Sequence, residues 1–184
     1  MNNQILSSSK DDSLERIKNT IRNIPDFPSK GILFRDITPL LANGPLFNKA
    51  VDLLVEGYSE ENIDAIAGIE TRGCIFASAA AYKLKLPFIP IRKKNKLPWK
   101  TFEENYNLEY GSNTLSIHQD AFAKGQRVLL MDDLLATGGS AVAAVNLIKR
   151  CGAELVGCSF LIELLFCKGR EKLAGLNTRI LIQY

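Results

Sequence analysis

The most informative stretch of the sequence runs Val128-Leu129-Leu130-Met131-Asp132-Asp133-Leu134-Leu135-Ala136-Thr137-Gly138-Gly139-Ser140. Its first four residues are apolar and follow a turn at Gly125, which predicts a strand buried on both faces. Beyond the stretch, apolar residues recur at helical spacing, so we expect a helix from near Ser140 to near Gly152. Two carboxylates and a glycine-rich turn are therefore expected between a strand and a helix.

The turn itself predicts a phosphate site. The segment 137–140 can direct several backbone N–H groups and two hydroxyls at one point, at a helix N-terminus where partial positive charge collects. No Lys follows the glycines, so this is not a Walker A loop, and the dinucleotide fingerprint G-x-G-x-x-G is missing. A phosphate monoester is the ligand that such a turn suits.

Asp132 and Asp133 stand immediately before this turn. Two carboxylates would repel a phosphate, but they can accept hydrogen bonds from the vicinal hydroxyls of a ribose. The stretch therefore predicts a ribose 5-phosphate site. The alternative is a strand–turn–helix in which the two acids only cap and solvate the turn.

Length and composition favour an ordinary globular protein. The 184 residues suit one domain, or a domain with a small appendage, and a net charge of +3 is too small to indicate nucleic-acid binding. No run approaches a membrane span, and the N-terminus lacks the apolar core of a signal peptide. The four cysteines form no Cys-x-x-Cys pair and His118 is the single histidine, so we expect reduced thiols, a cytoplasmic location and no zinc site.

A strand–loop–helix–strand pattern occurs twice, around residues 63–92 and 127–162. This alternation predicts an α/β fold with a mostly parallel sheet flanked by helices. Ligands bind such sheets at the carboxyl ends of the strands. The segment Glu70-Thr71-Arg72-Gly73 is predicted to lie there together with the phosphate turn, so the two could share one ligand.

The stretch from Val128 to Ser140 closely resembles the 5-phosphoribosyl-1-pyrophosphate (PRPP) signature of type I phosphoribosyltransferases, in the form found in adenine phosphoribosyltransferases. A second motif, Phe-Pro-x-x-Gly-x-x-Phe-Arg-Asp-Ile-Thr-Pro at 27–39, resembles the amino-terminal hood segment of the adenine enzymes. The resemblance extends from about Ile24 to Tyr184. It implies a single type I phosphoribosyltransferase domain over 1–184, with residues 1–12 loosely ordered and a small hood at about 24–40.

The resemblance implies that adenine and PRPP react to give AMP and pyrophosphate. Asp132 and Asp133 would hold the ribose diol. The 5′-phosphate would be bound by Ala136, Thr137, Gly138, Gly139 and Ser140, where Ser140 replaces the commoner Thr.

The segment after the first core strand resembles the family's pyrophosphate loop. Glu70, Thr71 and Arg72 would bind pyrophosphate, with Glu70-Thr71 replacing the commoner Asp-Ser. Because this loop often carries a cis non-proline peptide in the family, we expect backbone strain between Glu70 and Thr71.

The most basic stretch, Arg92 to Lys100, has several aromatic neighbours. Basic and aromatic residues together can bind single-stranded nucleic acid, and a charge run is often only a solvated loop. Its start resembles the family's flexible catalytic loop, expected at about 94–112, which closes over the anionic substrate. Arg92, Lys93 and Lys96 are then predicted pyrophosphate contacts.

Two further residues in the loop are predicted to be catalytic together with Arg72. Glu109 resembles the loop carboxylate proposed to exchange a proton with the purine, because the base must lose a proton as N9 attacks C1′. Tyr110 would orient the closed loop beside it.

The base site is predicted from the hood. Phe34 would stack on adenine, and Leu33 and Arg35 would supply nearby contacts. Leu164 would close the other face of the base.

The family resemblance also implies Mg²⁺ held mainly by PRPP, with no direct protein ligand, and a homodimer. We expect neither a nucleic-acid nor a membrane partner. Two alternatives remain at this point: a phosphoribosyltransferase for hypoxanthine, guanine or xanthine, and a PRPP-sensing regulator that binds nucleic acid. The second would be expected to carry an added DNA-binding domain or a larger basic face.

Overall fold

The computed structural model describes residues 12–58, 63–108 and 111–184. The chain divides into two compact units, Met1–Leu53 and Leu54–Tyr184. The loose order predicted for residues 1–12 concerns a segment that lies, except for residue 12, outside the described residues. Within the described ranges, no helix combines the length and the apolar character that crossing a bilayer requires.

The first unit contains a small antiparallel sheet between helices. Helix α1 covers residues 12–20 and is followed by strands β1 (Arg22–Ile24) and β2 (Phe34–Asp36), which pair with each other. Helix α2 (Thr38–Ala42) has a proline in its first turn, and α3 (Gly44–Val55) leads into the second unit. The predicted hood segment, about 24–40, spans the end of β1 to the start of α2, and its role as a hood stays a prediction.

The second unit is built on a seven-stranded sheet in the order β5-β6-β4-β3-β7-β8-β9. Neighbouring strands from β4 to β9 are parallel, whereas β5 and β6 form an antiparallel hairpin that joins the sheet through β4. The predicted mostly parallel sheet is confirmed. The strands are β3 (Ala65–Ile69), β4 (Phe88–Lys93), β5 (Thr101–Leu108), β6 (Gly111–His118), β7 (Arg127–Leu135), β8 (Glu154–Glu163) and β9 (Thr178–Gln183).

Helices α4 (Glu70–Leu84) and α5 (Gly139–Arg150) follow the two central strands β3 and β7. All five residues of β3 are buried, as its unbroken apolar sequence requires for a strand covered on both faces. A Cβ at Gly68 would lie 2.7 Å from the Ala77 Cβ and 2.9 Å from the Cys74 Cα. Glycine at this position therefore lets α4 pack directly on β3. Two short 3₁₀ helices, Leu165–Cys167 and Gly169–Leu173, precede β9.

The strand after the turn at Gly125 is longer than the sequence predicted. The acidic pair was expected between strand and helix, but β7 continues to Leu135, and Asp132 pairs in register with Phe160 of β8. The parallel ladder with β8 keeps the backbone extended beyond the apolar run. The helix begins at Gly139 and ends at Arg150, within one or two residues of the expected bounds.

The segment predicted as a flexible loop, 94–112, contains all of strand β5 and the start of β6. The hairpin pairs from Thr101 with His118 to Leu108 with Gly111. The connection 94–100 between β4 and β5 carries the remaining basic residues. Movement of this segment stays a prediction.

Candidate active site

A cavity of about 390 Å³ opens at the carboxyl ends of β3 and β7. It brings together ten of the residues predicted from the sequence to bind PRPP or pyrophosphate: Glu70, Thr71, Arg72, Lys93, Asp132, Asp133, Ala136, Thr137, Gly138 and Ser140. Four further residues line it that the sequence did not single out: Ile69, Tyr106, Leu134 and Leu135. The two segments expected to share a ligand thus face one cavity.

The acidic pair is almost completely buried, with Asp132 exposed by 7% and Asp133 by 4%. Asp132 Oδ1 accepts a hydrogen bond from the backbone N–H of Asp133 at 2.8 Å. Burial raises the pKa of Asp132 well above its ordinary value, and the neighbouring charge of Asp133 adds to the rise. Burial also raises the pKa of Asp133, while the guanidinium of Arg72 opposes that rise. Two acids held this way are poised to accept a ligand that brings hydroxyl donors or positive charge.

Arg72 forms an ion pair inside the cavity. Its Nε lies 2.8 Å from Asp133 Oδ2, and its side chain is 35% exposed. The pair joins the first turn of α4 to the end of β7, so it connects the predicted pyrophosphate segment to the predicted ribose site. The guanidinium has further N–H donors, so it can contact Asp133 and an anion at the same time.

The phosphate turn is shaped by close backbone packing. Gly138 caps α5 in the left-handed region, at φ 77°, which favours glycine. A Cβ at Gly169 would overlap the Ala136 carbonyl oxygen and would lie 2.8 Å from the Gly138 nitrogen. The turn therefore rests on the backbone of Gly169, and the sequence offered no signal for this contact beyond the glycine itself.

A second close approach supports the acidic pair. A Cβ at Gly73 would lie 2.9 Å from the Asp132 Cα and would also collide with its Oδ1. Gly73 thus allows the first turn of α4 to approach the backbone of β7. This contact brings Arg72 within reach of Asp133.

Strain is present in the predicted pyrophosphate segment, but not in the predicted form. The cis peptide among the described residues is the Phe27–Pro28 bond, so the expected cis bond between Glu70 and Thr71 is not found. Instead Glu70 has φ 41°, a conformation that non-glycine residues rarely adopt. Its carboxylate Oε2 accepts the backbone N–H of Lys93 at 2.6 Å, and this bond fixes the residue in place.

The base of the β5–β6 hairpin is attached to α5. Asn146 Nδ2 donates to Glu104 Oε1 at 2.9 Å, and the Arg150 guanidinium lies 4.6 Å from the centre of the Phe102 ring. Tyr106, further along β5, lines the cavity. Burial raises the pKa of its hydroxyl, and the charges of Asp132 and Glu70 add to the rise. Tyr106 is therefore a neutral hydrogen-bonding group at neutral pH.

Several predicted residues do not line the cavity. Arg92, Lys96 and Gly139 lie in segments next to it, and Leu164 is half-buried after the end of β8. The predicted catalytic pair, Glu109 and Tyr110, lies outside the described residues.

The predicted adenine contacts of the hood belong to the first unit. Phe34 packs edge-on against Phe27, with ring centroids 5.1 Å apart. Leu33 is 46% exposed, and the Arg35 guanidinium donates a hydrogen bond to Asn23 Oδ1. An exposed apolar side chain beside an aromatic ring provides the kind of surface on which a flat base can stack.

The carboxylates of the cavity are suitable ligands for a metal ion that is coordinated mainly by the substrate. In the described part of the chain, no three His, Cys, Asp or Glu side chains converge to form a metal site. The available donors are the carboxylates of Asp132 and Asp133, which line the cavity. Mg²⁺ is commonly bound by one or two carboxylates together with substrate phosphates, so this donor set fits it.

The chain is similar to proteins of one known family. A model of the family described as phosphoribosyl transferase domain matches residues 38–173. The adenine phosphoribosyltransferase of Syntrophotalea carbinolica is 54% identical over 160 residues, which are 87% of this chain and 94% of the relative. The chain belongs to the adenine phosphoribosyltransferase family.

Solved structures of adenine phosphoribosyltransferases share the fold. The enzyme from Rhodothermus marinus superposes with a TM-score of 0.90 at 46% identity, covering 94% of this chain and 98% of that one. The Saccharomyces cerevisiae enzyme, complexed with adenine and an imino-altritol bisphosphate, gives 0.84 at 40% identity, with 92% and 97% covered. The sheet and its flanking helices are thus those of a type I phosphoribosyltransferase.

Proposed function

We propose that this chain transfers the 5-phosphoribosyl group of PRPP to N9 of adenine, giving AMP and pyrophosphate. The observation that carries the proposal is the single cavity shared by the acidic pair, the phosphate turn and the Glu70–Arg72 segment. These are the groups that the two ends of PRPP require, in a member of the adenine phosphoribosyltransferase family.

The ribose 5-phosphate half of PRPP is assigned to β7 and α5. Backbone N–H groups at the start of α5, with the Thr137 and Ser140 hydroxyls, suit the 5′-phosphate dianion. Asp132 and Asp133 then accept hydrogen bonds from the 2′- and 3′-hydroxyls of the ribose. The buried charge of the two acids is best tolerated when such donors are present.

The pyrophosphate half is assigned to Arg72 and Lys93. Cleavage of the C1′–O bond leaves negative charge on pyrophosphate and positive charge on the ribose ring. Arg72 and Lys93 both line the cavity and can stabilise the leaving group, and Mg²⁺, when bound with PRPP, neutralises part of the same charge. The acids at the ribose end face the developing cation.

The proton lost by adenine is assigned to Glu109, with Tyr110 orienting the closed hairpin. This assignment rests on the family motif Asn-Leu-Glu-Tyr-Gly at 107–111. A carboxylate near N9 would accept the proton as the new bond forms. Closure of the segment 94–112 would also keep water away from the ribose cation.

The base is assigned to Phe34, with Leu33 and Arg35 as further contacts from the same unit; a contact from Leu164 stays a prediction of the sequence. Base–aromatic stacking is worth about 1–3 kcal/mol per base by substitution. A replacement of Phe34 by Leu should therefore raise the KM for adenine about 5- to 150-fold while leaving the KM for PRPP unchanged. Tyr82→Leu is the matched control, because Tyr82 is 89% exposed on α4 and lines no part of the cavity.

The test is AMP formation from PRPP with adenine, and nucleotide formation with hypoxanthine, guanine and xanthine, each with Mg²⁺ and with EDTA. Mg²⁺-dependent turnover of adenine alone is expected. Turnover of a 6-oxopurine instead would retain the PRPP site and overturn the assignment of the base site. Tight PRPP binding without turnover of any base would favour the PRPP-sensing regulator.

The family resemblance also supports a cytoplasmic homodimer that binds neither nucleic acid nor membrane. Apolar side chains exposed on the second unit, among them Phe166 at 76%, are available to a subunit contact. Light scattering after size exclusion should give about twice the 20.4 kDa of one chain. A monomeric mass would remove the dimer and leave the proposed reaction intact.

A further inference from the structure

Glu70 occupies an unusual position in the cavity. It is the first residue of α4, directly after β3, and its φ of 41° places a non-glycine residue in the left-handed region. Such a backbone conformation is unfavourable for a residue with a Cβ and persists only when surrounding contacts hold it. The contacts of the Glu70 side chain hold the residue in this conformation.

The carboxylate of Glu70 is occupied by its own chain. Oε2 accepts the backbone N–H of Lys93 at 2.6 Å, and the same oxygen lies 3.6 Å from Arg92 Nε. The Glu70 side chain is only 23% exposed, so water screens these contacts incompletely. One acid thus joins the end of β3 to the end of β4, across 23 residues of sequence.

These contacts are difficult to reconcile with direct binding of pyrophosphate by Glu70. A carboxylate offers no donor to a phosphate oxygen, and two anions in contact repel each other. The groups that can attract pyrophosphate are its neighbours: Arg72 two residues later on α4, and Lys93, whose backbone Glu70 holds. The Glu70 carboxylate holds the backbone of Lys93, and Glu70 itself begins the helical turn that carries Arg72.

We propose that Glu70 is a positioning residue for pyrophosphate and not one of its ligands. It fixes the carboxyl end of β4 against the first turn of α4, so that Arg72 and Lys93 face the same leaving group. This inference rests on the proposed function, because it assigns the pyrophosphate end of PRPP to this half of the cavity.

Three substitutions separate positioning from direct binding. Glu70→Gln keeps the length and an oxygen that accepts the Lys93 N–H, whereas Glu70→Ala removes the bond altogether. Glu70→Asp retains the charge but is shorter by one methylene. Glu56→Ala is the matched control, since Glu56 is paired with Arg179 at 2.8 Å and does not line the cavity.

The primary measurement is calorimetric binding of inorganic pyrophosphate with Mg²⁺, accompanied by KM values for PRPP and adenine. Misplacement of a binding group by about 1 Å weakens function about 100-fold. Glu70→Ala should therefore weaken pyrophosphate binding and raise the KM for PRPP by about 10- to 100-fold, with the KM for adenine unchanged. Glu70→Gln should stay within about threefold of the wild type, and Glu70→Asp should fall between the two.

Two results would overturn the inference. If Glu70→Gln weakens pyrophosphate binding as much as Glu70→Ala does, and a higher Mg²⁺ concentration restores binding in both variants, the carboxylate acts through the metal. If the Glu70→Ala variant binds pyrophosphate as tightly as the wild type, the carboxylate does not position Arg72 and Lys93. If the Glu70→Ala variant does not fold, the other two variants provide the test: positioning requires that Glu70→Gln bind pyrophosphate more tightly than Glu70→Asp, and the reverse order would overturn it. Calorimetry needs no base, so pyrophosphate binding tests this role even if adenine is not the substrate.

Discussion

Replacing Gly169 by alanine should displace the phosphate turn. The new Cβ would lie 2.8 Å from the Gly138 nitrogen and closer still to the Ala136 carbonyl oxygen, whereas ordinary contact begins at 3.4 Å. The difference between 3.4 and 2.8 Å requires a backbone movement of at least about 0.6 Å. Both neighbours are main-chain atoms of the turn, so no flexible side chain can yield in their place.

The expected effect has two parts. Overpacking of this kind destabilises a fold by about 1–3 kcal/mol. Because a misplacement of about 1 Å costs about 100-fold in function, kcat/KM for PRPP should fall about 10- to 100-fold. This loss corresponds to about 1.4–2.7 kcal/mol of transition-state stabilisation. The kinetic effect should be large in kcat/KM for PRPP and small in the KM for adenine.

Initial rates of AMP formation at varied PRPP, measured well below the unfolding temperature, provide the assay. Gly44→Ala is the matched control, since a Cβ at Gly44 meets nothing within 4 Å and no left-handed φ requires glycine there. The control should retain wild-type kinetics. Wild-type kcat/KM for PRPP in Gly169→Ala would refute the argument that the turn rests on this backbone contact.

Two further substitutions test other parts of the second unit. Asp132→Asn should abolish turnover but stabilise the fold, and the stabilisation should increase as pH rises. Because the pKa of Asp132 is raised in the folded state, the wild type loses stability as pH rises from 3.8 to that raised value, whereas asparagine does not titrate. Melting temperatures at pH 5 and pH 8 check this, and a gap that does not widen with pH would contradict it. Tyr58→Phe should lower the free energy of unfolding in urea by about 1–2 kcal/mol, because the buried hydroxyl donates to the Cys158 carbonyl at 2.7 Å; a change below about 0.5 kcal/mol would show that the bond contributes little.

Local patterns in the sequence predicted the central strands and helices of the second unit. The apolar run of β7 and the glycine turn before α5 are continuous in sequence, so periodicity and turn chemistry were sufficient to identify them. The continuation of β7 to Leu135 was not predicted, because it depends on pairing with β8, a strand that begins at Glu154. Strand ends set by a distant partner leave no local signal.

The arrangement within the cavity could be predicted only in part. Motifs identified which segments carry the chemistry, and ten of their residues do line one cavity. The contacts between segments could not be derived: Gly169 under the phosphate turn and Glu70 on the N–H of Lys93 both join distant positions. Strand β5 was predicted as part of a loop because its sequence is mostly polar, and the strand depends on pairing with β6 and on contacts with α5.

The ion pair between Arg72 and Asp133 couples the pyrophosphate end of the cavity electrostatically to the ribose end. Nε of Arg72 lies 2.8 Å from Asp133 Oδ2, so a ligand that binds at one partner changes the electrostatic environment of the other. A buried charge whose partner is deleted is costly. Loss of Arg72 is therefore felt at the ribose as well as at the pyrophosphate, and loss of Asp133 at the pyrophosphate as well as at the ribose. A ribose analogue that lacks pyrophosphate would consequently report on Arg72, a residue that it never touches.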